Sequence, residues 1–186
     1  FDEDTPQADT LGVYKDLLDE GKIRSIGASN FDEGQLEDAL KIAETEGLPA
    51  YQVLQPEYSL VSRASFEGPL QRLCIDKNIG VVTYFSLASG FLSGKYRSLD
   101  DLQGQARGGM AKKYIENGGL QVLEAMDDIA TSKNITLAEL AIAWLLHRDG
   151  VTAPIASATK DSHLKSLVKA SEVSLTPEEV EALAVF

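Results

Sequence analysis

Apolar residues recur three and four positions apart along residues 5–20, where Leu11, Tyr14, Leu17 and Leu18 fall on one side of a helix. Thr5-Pro6 predicts an N-cap followed by proline at the first helical position, and Gly21 predicts a glycine C-cap. The period drops to two over "IRSIGAS", residues 23–29, which marks a strand. Helical spacing returns at 32–46 through Leu36, Leu40 and Ala43, with Asp32 as N-cap and Gly47 as stop. "YQVLQPEYSL" (51–60) reads as strand up to Gln55, because Pro56 has no amide hydrogen to pair. A third helix is expected at 65–78, with Leu70, Leu73 and Ile75 inward, and "GVVTYFSL" (80–87) is the most apolar strand. Residues 88–118 show no period and hold six glycines. Helices follow at 119–132 and 136–148, then a strand at "TAPIASA" (152–158) and a helix at 161–171. A last helix, 177–184, opens on "TPEE", a capping box with proline.

Strand and helix alternate, and the helices are long enough for right-handed crossovers between parallel strands. An open doubly wound sheet and a (β/α)8 barrel both fit. A barrel takes about 250 residues, so four β/α units in 186 residues make half of one. No GxGxxG fingerprint follows the first strand, which weakens the open dinucleotide-binding alternative. Phe1 leads straight into the first helix, so the chain is expected to begin inside a fold, just after a strand.

Charge and cysteine usage narrow the partners. A formal net charge of −12 argues against nucleic acid and against an anionic membrane surface. No run is apolar enough to span a bilayer, and "FDEDTPQ" lacks the basic start and apolar core of a signal peptide. The single cysteine, Cys74, cannot form an internal disulfide, which suits a reducing, cytoplasmic setting. Cys74 and Trp144 read as core. His147 reads as structural, a cation suited to a helix C-terminus. Glu178 and Glu179 read as helix-start charges, and no metal-ligand spacing is present.

Chemistry concentrates where strands end. The first strand ends on Ser29 and Asn30, the second on Gln55, and the third on Tyr84 followed by "FSLASGF". The fourth ends on "ASATK", with Lys160 just before a helix. In a barrel these ends share one rim. A hydroxyl, two amides and a ring suit a flat heterocycle bearing a carboxamide. The small-residue loop 86–90 and the helix start at 161 each suit phosphate on backbone N–H groups. Plainer roles stand beside these: Ser29-Asn30 as a capping turn, Gln55 satisfying backbone, Tyr84 as core filler, Lys160 as a solvated lysine.

Four segments in order, "GKIRSIGASNF", "YQVLQPEYSLVSR", "VVTYFSLASGFLSGKY" and "PIASATKDSHLKSLV", resemble the second half of an aldo-keto reductase. The resemblance covers essentially the whole chain. It implies a (β/α)8 barrel of which residues 1–186 form the C-terminal half, about strands 5–8, as part of a single domain. It also implies an NADP(H)-dependent reductase of aldehydes or ketones. Ser29, Asn30 and Gln55 resemble the residues that hold the nicotinamide carboxamide, and Tyr84 the ring stacked on the nicotinamide. Phe85 and Ser86 stand where the family often has Ser and Pro. Leu87, Ala88, Ser89, Gly90 and Phe91 match the pyrophosphate loop, with Lys95 reaching phosphate and Arg107 in a covering belt. Ser157, Thr159, Lys160 and His163 match the segment that binds the 2′-phosphate.

Ser166-Leu167 replace a Glu-Asn pair of the family, and an arginine usual near Thr159 is absent, which touches the adenine end and the preference for NADP. The family's catalytic Asp, Tyr, Lys and His match no residue here. The resemblance assigns them to a preceding half-barrel, so these 186 residues alone are expected to be inactive. The alternative is a nicotinamide-binding regulatory or sensor subunit of the same fold. The expected ligand besides the cofactor is a small carbonyl compound; oligomeric state stays open.

Overall fold

The structure, a computed structural model, describes residues 1–105 and 107–184. They gather into two compact units. One comprises Phe1–Pro56 with Ala64–Val82; the other comprises Glu57–Arg63 with the chain from Thr83 onward.

The first unit runs α1 (Gln7–Asp19), β1 (Gly27–Ser29), α2 (Glu33–Glu46), β2 (Val53–Gln55), α3 (Pro69–Asp76) and most of β3 (Gly80–Thr83). The strands are parallel, pairing Gly27 with Val53, Ser29 with Gln55, and Val53 with Gly80. Gly27 permits the β1–β2 approach, since a Cβ there would stand 3.0 Å from the Val53 carbonyl oxygen. Leu11, Leu36, Leu54, Phe66, Cys74 and Val81 are fully buried. Asp32 caps α2 through a reciprocal box, accepting from the Gln35 amide while its own amide donates to the Gln35 side chain.

The second unit contains α4 (Gly108–Glu116), α5 (Gly119–Lys133), α6 (Leu137–Leu146), β4 (Val151–Pro154), α7 (Asp161–Ala170) and α8 (Pro177–Ala182). The four strands follow the order β1-β2-β3-β4. Helix α6 is the centre of this unit, with every residue from Glu139 to Leu145 buried. Trp144 donates its indole N–H to the Val180 carbonyl at 3.2 Å and packs on Tyr58, centroids 5.5 Å apart. The Arg148 and Arg63 guanidiniums stand 5.1 and 5.7 Å from the Trp144 ring. Glu139 is the buried charge of α6. It accepts from the Thr136 amide and the Ser166 hydroxyl and pairs with Lys169 at 3.3 Å. Burial opposes its ionisation, but those donors outweigh burial and hold its pKa below the usual carboxylate value.

Several expectations need correction. Pro6, not Thr5, sits at the N-cap of α1, and the Thr5 hydroxyl donates instead to Asp2. The strands are shorter than the alternation suggested. Lys22 and Ile23 spend their amides on the Leu17 carbonyl at the end of α1, so pairing starts only at Gly27. Helix α3 starts at Pro69 after a left-handed Gly68. It turns Cys74 inward, not Ile75, which is 48% exposed. A helix, α4, occupies part of the aperiodic stretch. His147 is structural, with the Leu175 amide 3.3 Å from its Nε2 and the Ala143 carbonyl 2.8 Å from its Nδ1. Among the described residues, no single helix is long and apolar enough to cross a membrane. No group of metal-ligating side chains occurs among them either.

Candidate functional site

In the first unit, β1 and β2 bring Ser29, Asn30 and Gln55 together at their C-terminal ends. The Gln55 carbonyl accepts from the Ser29 hydroxyl at 3.0 Å and from the Asn30 amide at 3.3 Å. Asn30 turns the chain out of the strand at φ 58°, a conformation asparagine tolerates better than most residues. Ser29 and Asn30 are exposed and Gln55 is half-buried. Because these two hydrogen bonds use the Gln55 carbonyl, they leave its side-chain amide out of the pairing.

In the second unit, Tyr84 follows β3. Its carbonyl accepts from the Tyr58 amide at 3.3 Å, and its half-buried ring lies 5.2 Å from the Phe85 ring, tilted by 57°. The next turn is strained. Phe85, Ala88 and Ser89 have φ of 54°, 48° and 58°, and Gly90 has φ 90°. Left-handed non-glycine residues cost about 1 kcal/mol or more each, and persist where neighbours over-determine them. The neighbours here are identifiable. The Phe85 carbonyl accepts from Ala88 at 2.7 Å, and the Leu87 carbonyl from Gly90 at 2.8 Å. The buried Ser86 hydroxyl donates to the Ile155 carbonyl at 2.9 Å and lies 3.2 Å from both the Thr83 carbonyl and hydroxyl.

Ser86 therefore faces inward, and so does Phe91, fully buried with its ring 5.6 Å from Tyr114. Ala88 and Ser89 are also buried, while Leu87 is half-buried. What this turn offers a ligand is mainly backbone, with one cation beside it. A Cβ on Gly90 would lie 3.1 Å from Lys95 Cε and 3.3 Å from Nζ, so the ammonium lies against the glycine. Left-handed backbone with a lysine beside it is the donor set of an anion cradle.

The Ser86–Ile155 bond, with the Ile155 amide donating to the Thr83 carbonyl at 2.7 Å, ties this turn to the segment after β4. There Ser157, Thr159, Lys160 and His163 are all exposed. The Thr159 amide donates to His163 Nδ1 at 3.4 Å, and Lys160 is the N-cap of α7. Asp161 occupies the first turn of α7 and opposes any anion there. Arg107 opens α4 and is exposed. Among the described residues, no hydrogen bond ties the Arg107 or Ser157 side chain to these groups.

One group was not singled out from sequence. Lys113 Nζ lies 3.7 Å from Glu57 and 4.8 Å from the Tyr114 ring centroid, beside a 130 Å³ cavity lined also by Val61, Ser62 and Asn117. Its members come from the aperiodic stretch and from a bridge segment, where no spacing signals them.

The parallel strands and their crossover helices define an α/β protein. The chain belongs to the aldo/keto reductase family, whose model matches residues 1–185. It is 31% identical over 174 residues to a protein of Escherichia coli strain K12 named NADH-specific methylglyoxal reductase, covering 92% of this chain and 51% of that one. It is 31% identical over 189 residues to aldo-keto reductase yakc of Schizosaccharomyces pombe, whose name carries NADP(+), covering 98% and 54%. It is 30% identical over 190 residues to a probable voltage-gated potassium channel subunit beta of Oryza sativa subsp. japonica, covering 98% and 58%. A thermostable aldo-keto reductase solved with the inhibitor epalrestat superposes with a TM-score of 0.77 at 24% identity, over 98% of this chain and 56% of that one. The chain thus spans about half the length of the curated relatives it matches.

Proposed function

We propose that the protein is an NADP(H)-dependent oxidoreductase that reduces aldehyde or ketone carbonyls. The chain would form about strands 5–8 of a (β/α)8 barrel and supply the cofactor cradle. The observation that carries this reading is the strained Phe85–Gly90 turn, stitched through Ser86 to the start of the 157–163 segment, with Lys95 beside it. Strain of this kind concentrates at ligand sites.

Bound NADPH supplies the hydride. The residues here bind and orient. Ser29, Asn30 and Gln55 offer a hydroxyl and two amides, complementary to a carboxamide. Tyr84 offers a ring face, and the 87–91 backbone with Lys95 offers donors to a pyrophosphate. Thr159, Lys160 and His163 offer donors to the 2′-phosphate, and Ser157 and Arg107 complete the set. None of them is assigned the proton donor for the alkoxide, which belongs with the tetrad expected in the other half of the barrel. The exposed Leu164 and Val168, one helical turn apart on α7, suit a helix that packs against such a half. A buried, unpaired Cys74 suits the cytoplasm.

The test is titration of the full-length protein with NADPH, followed by a panel of small aldehydes. Tight binding with turnover supports the reading, and no binding removes it. A second reading is favoured by the channel-subunit name of the rice relative: a cofactor-binding regulatory subunit. Binding with no turnover across the panel selects it.

A further inference from the structure

Lys95 is anchored by the residues on either side of it. Gly94, at φ 77°, lets two groups close on the backbone: a Cβ there would stand 2.5 Å from Leu137 Cδ1 and 3.1 Å from Arg97 Nη2. Tyr96 is buried, and the Lys95 ammonium lies 4.6 Å from its ring centroid. Arg97 makes the most contacts. Its Nη1 and Nη2 donate to the two carboxylate oxygens of Asp127 on α5 at 2.8 and 2.7 Å, and its Nε donates back to the Gly94 carbonyl at 3.1 Å. Its amide donates to the Asp101 carboxylate at 2.8 Å, which also accepts from the Ser98 amide at 2.8 Å. Residues 94–97 thus form a loop closed through the guanidinium and moored to α5.

The Arg97 and Asp127 side chains are 41% and 46% exposed, so as a charge contact the pair adds little to stability. Its geometry matters more. A planar guanidinium gripping both carboxylate oxygens has one orientation, and its third donor, Nε, is then aimed at Gly94. Lys95 is the next residue, and its Cε and Nζ lie 3.1 and 3.3 Å from where a Cβ on Gly90 would stand. We propose that Arg97, braced by Asp127, is a positioning residue that holds the Lys95 ammonium against the Phe85–Gly90 turn for an anion. The proposal rests on the reading of that turn as a pyrophosphate cradle and deepens it. A lysine has many rotamers, and fixing one on binding costs affinity unless the protein has fixed it beforehand. Arg97 has no ligand contact in this scheme; it acts through Lys95.

Asp127→Asn keeps the shape of the acceptor but removes its charge and one of its two accepting oxygens. In the full-length protein it is expected to weaken NADPH binding roughly 3- to 10-fold. The melting temperature should stay within about two degrees of wild type. Arg97→Lys should give the same loss, because an ammonium has no fork to grip Asp127 and Gly94 together. The loss should vanish in a Lys95→Met background, where no ammonium is left to place. Affinity unchanged in Asp127→Asn, or a loss that persists in the Lys95→Met background, overturns the proposal. A ligand-free measurement accompanies this. In protein carrying a carbon isotope label at lysine Cε, the Lys95 magnetic-resonance signal, assigned by Lys95→Met, should move in Asp127→Asn as the side chain leaves the Tyr96 ring. An unmoved signal also overturns the proposal. If wild type binds no NADPH while the Lys95 signal does move, it is the cofactor reading that fails and the brace that stands.

Discussion

Tyr84→Ala is expected to weaken NADPH binding by about 1 kcal/mol, roughly fivefold, if the ring is a stacking platform. Fluorescence titration reads this directly, and an unchanged affinity would remove Tyr84 from the site. Lys160→Ala should reduce affinity for NADPH more than for NADH, because only the former carries a 2′-phosphate; equal losses would count against that contact. Lys160 has Asp161 as its neighbour on α7, so the difference should be modest, on the order of 1 kcal/mol. Cys74 gives a different kind of prediction. Burial pushes its thiol up to about 11, leaving little thiolate at neutral pH. Ellman's reagent at pH 8 should modify it only as the protein unfolds, and prompt labelling of the native protein would contradict its burial. The turns after β2 and β3 and the start of α7 were legible in the sequence because each carries a strong punctuation mark: Pro56 after Gln55, glycines around the 86–94 loop, a helix start after Lys160. The inward turn of Ser86 was not legible, since the carbonyl it bonds, Ile155, is 69 residues away.

Among the elements, the helices were read well where a cap and an apolar stripe agreed. Asp32 caps α2 as its position predicted, with a reciprocal bond to Gln35 that was not read from sequence, and Thr176 with Glu179 forms the capping box that "TPEE" predicted. Asp32→Ala should therefore cost about 1 kcal/mol in a urea titration. The strands were overread because alternation reports a face, not a partner. Ile23 to Ile26 alternate correctly, yet the amides of Lys22 and Ile23 finish α1. Pro154 is the last residue of β4 and has no amide to donate, and the Ile155 amide after it donates to the Thr83 carbonyl. Helix α4 was missed because glycines 108 and 109 open it and its buried stripe is only Ala111 and Tyr114. Gly119, just after it, is unreadable as a packing residue from sequence. A Cβ there would stand 2.6 Å from the Tyr114 carbonyl oxygen and 2.8 Å from the Phe91 ring. Gly119→Ala should lower the melting temperature by several degrees, with a cost of about 1–3 kcal/mol. A neutral result would mean that α5 shifts freely.

For the molecule as a whole, acid stability should carry the mark of Glu139. Its folded-state pKa is depressed below an ordinary value near 4.5. The stabilisation is therefore fully present above that value and is lost as pH falls through the lower, folded-state pKa. Glu139→Gln keeps a hydrogen-bonding group at the third position of the capping box but removes the charge facing Lys169. The variant should be less stable at pH 7, on the order of 1 kcal/mol, and should converge on wild type once the pH has fallen through the lowered folded-state pKa. Parallel curves across that window would exclude Glu139 as the titrating group. At this scale the parallel β/α order was the most legible feature, because length and repeat constrain it jointly. The finer geometry of the strand-end turns depends on contacts between residues far apart in the chain.

Trp144 is the single tryptophan of these 186 residues, and its indole hydrogen is held by the carbonyl of Val180 in α8. The chain thus carries its own optical probe of that helix. Loosening of α8 by truncation, acid or a partner should register as a red shift in emission before the bulk of the fold gives way, with no dye or label attached.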